Sequence, residues 1–127
     1  MPKPIYSFKK RERLTSRKSI ARLFESGRRI NSFPLRILYD LTHDEEFPSV
    51  MAVSVPKRLF KRAVDRNLLK RRIREVYRYR KPDLYALLNK EGVQIRMVIQ
   101  YRDRKITDFH TIEKGFERAI SKITEQL

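Results

Sequence analysis

The chain has 127 residues, enough for one domain with a single core, and no cysteine, which excludes disulfides, thiolate zinc sites and thiol nucleophiles together. Its net charge is +16, and the excess is concentrated: residues 1–29 carry +8, residues 57–81 carry +10, and the remainder sums to −2. A surface tuned only for solubility mixes its signs, so two blocks of one sign point to a polyanionic partner.

Residues 1–14 read as an extended basic segment at the start of one domain covering 1–127. Thr15 or Ser16 can cap a first helix, its side-chain oxygen accepting a free N–H of the first turn. Ile20, Leu23 and Phe24 then share one helical face. Gly27 can end the helix in the left-handed conformation, so a helix is predicted over 16–26. Phe33, Leu35, Ile37, Tyr39 and Leu41 alternate with other residues, the period of a strand with one apolar face, and Pro34 holds its start at an edge or bulge. Thr42 to Glu46 is a polar turn. Ser49 to Val55 reads as a second strand, expected to pair with the first as an antiparallel hairpin.

A long helix is predicted over 60–80. Pro82 can open a separate short helix with Leu84, Leu87 and Leu88 inward, ended by Gly92. Val93, Ile95, Met97, Ile99 and Tyr101 alternate in a third strand. Thr107 or Asp108 can cap a last helix with Phe109, Ile112, Phe116, Ala119, Ile120 and Ile123 on one side; Gly115 weakens it slightly. The expected order is α-β-β-α-(α)-β-α, an α+β sandwich with one small, mostly antiparallel sheet and helices on it. The apolar runs are strand-sized, too short to span a bilayer, and the basic blocks lack the wide apolar face of an interfacial helix. No membrane partner is expected. With no targeting segment visible, a cytoplasmic location suits the Cys-free chain.

The second basic block carries the sharper signal. On a helix at about 100° per residue, Leu69, Ile73, Val76 and Tyr77 share one arc, and Asn67, Lys70, Arg71, Arg74 and Arg78 fill a neighbouring one. Arg66 lies between the two and should be partly covered. Like charges four apart (Lys70 with Arg74, Arg74 with Arg78) each cost a helix roughly 0.2–0.5 kcal/mol, and Asp65 and Glu75 offset little. A helix facing only water would gain from interleaved Glu; here a polyanion supplies the missing negative charge. Arg predominates over Lys, and its planar fork binds phosphate bidentately and stacks on bases.

Phe60, Ala63, Arg66, Asn67, Lys70, Arg71, Ile73 and Arg74 together resemble the signature of the bacterial ribonuclease P protein subunit. Its flanks are similar too, at Arg13-Leu14, Phe24, Gly27, Leu38-Tyr39 and Ser54-Val55-Pro56-Lys57-Arg58, so the resemblance covers about residues 8–124. Two positions depart from the pattern: Leu68 stands where many members carry a basic residue, and Ile20 where many carry an aromatic one. The resemblance implies a small sandwich with a left-handed β-α-β crossover, a rare connection. It implies a protein that binds a catalytic RNA and the 5′ leader of precursor tRNA while an endoribonuclease removes that leader. The chemistry then lies in the RNA, which mainly holds the Mg2+, and no protein partner is required. RNA docking falls to Lys57, Arg58, Lys61, Arg62, Arg66, Asn67, Lys70, Arg71, Arg74 and Arg78. A leader-binding cleft between the first helix and the sheet falls to Arg13, Ile20, Phe24 and Tyr39.

The residues themselves leave Phe24 and Tyr39 open between stacking on unpaired bases, at roughly 1–3 kcal/mol each, and burial in the core. No catalytic or metal-binding residue is expected in the protein. His43 lies in a turn and His110 in the first turn of the last helix, with nothing in the sequence to tie them together. Asp44, Glu45 and Glu46 are neighbours in a turn, and no Gly-rich phosphate loop is present. Two readings compete. A ribosomal-type RNA-binding module would share the charge but not the Arg66-Asn67 signature. A metal-dependent nuclease acting alone would need a carboxylate cluster at a strand end.

Overall fold

The computed structural model describes residues 12–127; residues 1–11, with most of the expected basic segment, lie outside the described residues. Helix α1 (Arg17–Ser26) starts where the Ser16 hydroxyl accepts the Ser19 N–H at 3.3 Å. Leu23 is its fully buried residue, with Ile20 packed beside it. Gly27 ends the helix, but with φ of −65° instead of the left-handed conformation expected of it. The chain passes directly into a strand, and a Cβ at position 27 would lie 2.6 Å from the Leu23 carbonyl oxygen. Close approach, not positive φ, requires glycine there.

That strand, β1 (Arg28–Ser32), was not expected. Its outward Arg28, Arg29 and Asn31 leave Ile30 and Ser32 as the covered pair, too few to reveal alternation. Phe33 and a cis Pro34 form the turn into β2 (Leu35–Thr42), so neither belongs to the strand they were expected to begin. Helix α3 (Phe109–Glu125) supports this turn at Gly115, where a Cβ would meet the Phe33 carbonyl oxygen at 2.5 Å. The glycine that weakens the helix locally is thus needed for packing.

Strand β3 (Ser49–Ser54) does not form the expected hairpin with β2. The sheet order is β1-β2-β4-β3, with β4 (Gln94–Tyr101) antiparallel to β2 and parallel to β3. Strand β4 takes an inner place because it is covered on both sides: Ile95, Met97, Ile99 and Tyr101 on one, Val98 on the other. Buried two-sided strands of this kind are the usual partners in parallel pairing. The link 43–48 carries the chain past the start of β4, where the Ile95 N–H donates to the Pro48 carbonyl at 2.9 Å and Arg96 Nε to Glu45 at 2.7 Å.

Helix α2 (Ala63–Glu91) crosses over from β3 to β4. It is one helix of 29 residues, not the two expected, with Pro82 inside it. A proline in a helix interior costs roughly 3 kcal/mol. The inward stripe Leu69, Ile73, Val76, Tyr77, Leu84 and Leu88 continues across it, and each such side chain contributes about 1.5–3 kcal/mol on burial, so packing holds the helix together. Leu87 is half-covered instead of inward. In α3, Asp108 Oδ1 accepts the Thr111 N–H at 2.8 Å, and Ile112, Phe116, Ala119 and Ile123 face inward as their spacing predicts.

The order is therefore α-β-β-β-α-β-α, an α+β sandwich. Helices α2 and α3 pack on one face of the sheet over Ile37, Tyr39, Met97 and Ile99. Helix α1 and Leu14 cover part of the other face through Leu23, Leu38, Val50 and Val98.

Candidate nucleic-acid interface

A helix of ten residues is roughly 15 Å long, too short to cover one whole face of a four-stranded sheet. Strand pairing sets out what it leaves. Leu38 and Val98 lie under α1. One row further along, Asn31, Arg36, Gln100 and Ser54 are cross-strand neighbours, and none of the four is buried. Arg36 Nε donates to Asn31 Oδ1 at 2.8 Å. Desolvation, then the charges of Arg102 and Arg29, push the Arg36 guanidinium below its ordinary pKa. Three guanidinium groups thus share a field at this end of the sheet, where an anion would relieve their repulsion.

Phe24 stands at the margin of α1 with 39% of its surface exposed, and its carbonyl accepts a bond from Arg29 at 3.2 Å. Ile20 is half-buried against the small cluster under α1. Tyr39 is elsewhere. Its pairing places it on the opposite face from Leu38, it is fully buried among the residues beneath α2 and α3, and its hydroxyl donates to Gln126 Oε1. It is a core residue, and the leader contact implied for it does not hold.

The second surface lies along α2. Asn67, Arg71 and Arg74 are exposed, and Lys70 and Arg78 half-exposed. Residues 12–14 run beside β3: Arg13 bridges to Met51 in parallel, and the Leu14 N–H donates to the Met51 carbonyl at 2.9 Å. Arg13 thereby joins Arg71, Arg74, Glu75 and Arg78 in lining one groove. Arg13 and Arg74 also line a second hollow with Met51, Ala52 and Val53. The cationic groove of α2 therefore continues onto the edge of the sheet.

Other basic residues hold the scaffold. Arg66 is half-buried, as its position between the two arcs predicts, and donates to the carbonyls of Phe60 and Lys61, each at 2.8 Å. It fastens the loop that leads into α2. Arg72 donates to the Thr107 carbonyl at 2.6 Å, and Arg80 pairs with Glu113 at 3.2 Å and with Glu117, tying α2 to α3. Lys57, Arg58, Lys61 and Arg62 are exposed before α2. Arg58 shares a cleft with Arg102 and Arg104, two residues that sequence reasoning missed because they lie outside both basic blocks, next to Asp103. His43 and His110 are exposed on separate elements. Among the described residues no three His, Asp or Glu side chains are grouped to hold a metal ion, and no helix is long and apolar enough to cross a membrane.

The family model described as Ribonuclease P matches residues 8–124. A "Ribonuclease P protein component" from Porphyromonas gingivalis is 33% identical over 121 residues, covering 94% of this chain and 88% of the relative. One of the same description from Dictyoglomus thermophilum is 31% identical over 110 residues, covering 86% and 85%. Among solved structures, the RNase P protein of Staphylococcus aureus superposes with a TM-score of 0.67 at 18% identity, covering 88% of this chain and 94% of that one. That of Thermotoga maritima gives 0.65 at 19% identity, covering 87% and 96%. At those identities the structures establish a shared fold.

Proposed function

The chain belongs to the ribonuclease P protein family, whose members are the protein component of the endoribonuclease that processes tRNA 5′ ends, and from that premise we propose a division of labour between its two cationic surfaces. The groove of α2 docks on the catalytic RNA through Asn67, Lys70, Arg71, Arg74 and Arg78, with Lys57, Arg58, Lys61 and Arg62 extending the contact. The open strip of sheet beside α1 holds the single-stranded 5′ leader of precursor tRNA, with Ile20 and Phe24 along it and Arg13 at its junction with the α2 groove, where it serves both surfaces. Arg66 contributes to docking chiefly by holding the loop before α2.

The observation that carries this reading is the continuity of charge from α2 to the sheet through Arg13 and Arg74. A polyanion on one surface is met by positive potential leading to the other. Single-stranded RNA needs an exposed ring for its bases as well as cations for its phosphates, and Phe24 offers one beside the Arg29–Arg36–Arg102 field. The protein's part is to bind and orient; cleavage is the RNA's. The Mg2+ needed for cleavage is assigned mainly to the RNA, as the family resemblance implies. A cytoplasmic location is compatible with the processing of precursor tRNA.

Leader cleavage tests the proposal. Purified protein, its cognate ribonuclease P RNA and a leader-bearing precursor tRNA are mixed at low magnesium, each omitted in turn. Accurate cutting by the pair, with weak cutting by RNA alone, is the expected result. A protein that adds nothing would be a plain RNA-binding module. A protein that cuts without RNA would require an active site of its own.

A further inference from the structure

A buried ion pair lies behind the cationic groove. Lys81 Nζ and Glu12 Oε2 are 2.7 Å apart, and each residue is only 1% exposed. The Tyr85 hydroxyl donates to the same Glu12 oxygen at 2.6 Å and lies 3.2 Å from the Ser49 carbonyl. Lys81 Nζ also sits 5.4 Å from the centre of the Tyr85 ring. Burial pushes the Tyr85 hydroxyl well above its ordinary pKa, with smaller contributions from Tyr77 and Glu12, so it keeps its proton and acts as a donor.

Such a pair is a poor source of stability. Desolvating both charges offsets much of their attraction, and apolar residues of similar size often serve a fold as well or better. What a buried pair does supply is a fixed geometry, because either ion alone would be stranded. Here the geometry concerns Arg13. Glu12 is held against α2, while Leu14 is buried under α1 with its N–H on Met51. Arg13, exposed between two buried neighbours, is thereby directed into the groove with Arg71, Arg74 and Arg78. Four guanidinium groups and one carboxylate line that groove. Before a polyanion arrives, like charge acts to drive the segment carrying Arg13 away, and the Glu12–Lys81 pair opposes this.

We infer that Glu12 and Lys81 are positioning residues for RNA binding: their buried ion pair, completed by Tyr85, holds Arg13 in the α2 groove so that two distant parts of the chain present one phosphate-binding surface. This inference rests on the RNA-docking role given to that groove. It makes affinity depend on two side chains that no RNA can touch.

The test is a double-mutant cycle on the full-length protein binding its cognate ribonuclease P RNA, titrated at several salt concentrations. Arg13→Ala should weaken binding by about tenfold, as for one charge-assisted phosphate contact, and lower the salt slope by about one. Lys81→Met, which keeps the length and apolar stem of the side chain, should reproduce both changes. Adding it to Arg13→Ala should weaken binding no further, since the two act through one contact. Glu12→Gln provides the same comparison with a smaller change in shape if Lys81→Met does not fold, as judged by circular dichroism. Additive losses, or a Lys81 or Glu12 variant that folds and keeps the full affinity and salt slope while Arg13→Ala loses them, would overturn the inference. If Arg74→Ala is also without effect on RNA affinity, the docking role of the groove itself fails, an outcome distinct from failure of the positioning pair alone.

Discussion

The two faces of the sheet are made from the same strands and put to opposite uses. Beneath α2 and α3 the side chains of Ile37, Tyr39, Met97 and Ile99 are closed off completely. On the other face, α1 covers Leu38, Val50 and Val98 and stops, leaving Asn31, Arg36, Gln100 and Ser54 at least partly open. One face carries the larger share of the hydrophobic burial, which frees part of the other to remain polar, cationic and accessible. Helix α2 repeats the division around its own axis, with Ile73 and Tyr77 toward the sheet and Arg71 and Arg74 toward solvent.

Trimming a closed-face residue should have the largest effect. Ile73→Ala should cost about 2–5 kcal/mol of stability, because the site is fully packed and a cavity remains; denaturant unfolding measures it. RNA affinity of the fraction that stays folded should be unchanged. Phe24→Ala, on the open face, should do the reverse. Its loss in stability should stay below about 1 kcal/mol, since the ring is well exposed, whereas leader affinity should fall by roughly 1–3 kcal/mol, the worth of one stacked base. Titrating precursor tRNAs with and without a leader against the reconstituted enzyme separates the two effects. Equal losses with both substrates would mean that Phe24 makes no contact with the leader.

A smaller effect is expected where the closed face meets the turn at Phe33–Pro34. Glycine to alanine in a helix is ordinarily worth close to 1 kcal/mol in favour of alanine. Gly115→Ala should nonetheless destabilise, by about 1–3 kcal/mol, because the new methyl group would fall 2.5 Å from the Phe33 carbonyl oxygen, a backbone atom. A stabilised variant in thermal unfolding would mean that the turn can lift away from α3.

The same contrast decides what could be read from the sequence. Elements of the closed face announce themselves by period: α3 through Ile112, Phe116, Ala119 and Ile123, the register of α2 through Leu69, Ile73 and Tyr77, and β4 through its alternation. The cationic stripe of α2 is legible for the same reason, as the complement of an apolar arc. Open or edge elements leave fainter traces. Strand β1 has Ile30 as its one covered apolar residue. The pairing of β2 with β4 depends on a segment more than fifty residues away along the chain and has no local signature, so the local pattern favours the nearer strand as the partner. Pro82 reads as a boundary because its local cost is visible while the burial of Leu84 and Leu88 is not. Tyr39 is the instructive case. Its alternation with Leu35 and Ile37 places it on an apolar face, which favours burial over stacking; Arg36 and Leu38 occupy the side of the leader cleft. The Glu12–Lys81 pair, 69 residues apart in sequence, could not be seen before the fold was.

The smallest expected effect concerns the cap of α3, where Asp108 is exposed at the margin of the closed side. The Thr111 hydroxyl first, and its N–H second, hold the Asp108 carboxyl below its ordinary value of 3.8. A carboxylate whose pKa is depressed on folding binds fewer protons in the folded than in the unfolded state near that value. Its contribution is therefore fully present above 3.8 and is lost as pH falls through the lower, folded value. Asparagine also caps helices well and does not titrate. The difference in thermal midpoint between the wild type and Asp108→Asn should then be constant at neutral pH and shift against the wild type only below 3.8. Because other carboxylates titrate in both proteins, taking the difference isolates this one. A difference that stays flat through that range would show that the ionised cap adds nothing to α3, and that packing on the closed face alone fixes where the helix begins.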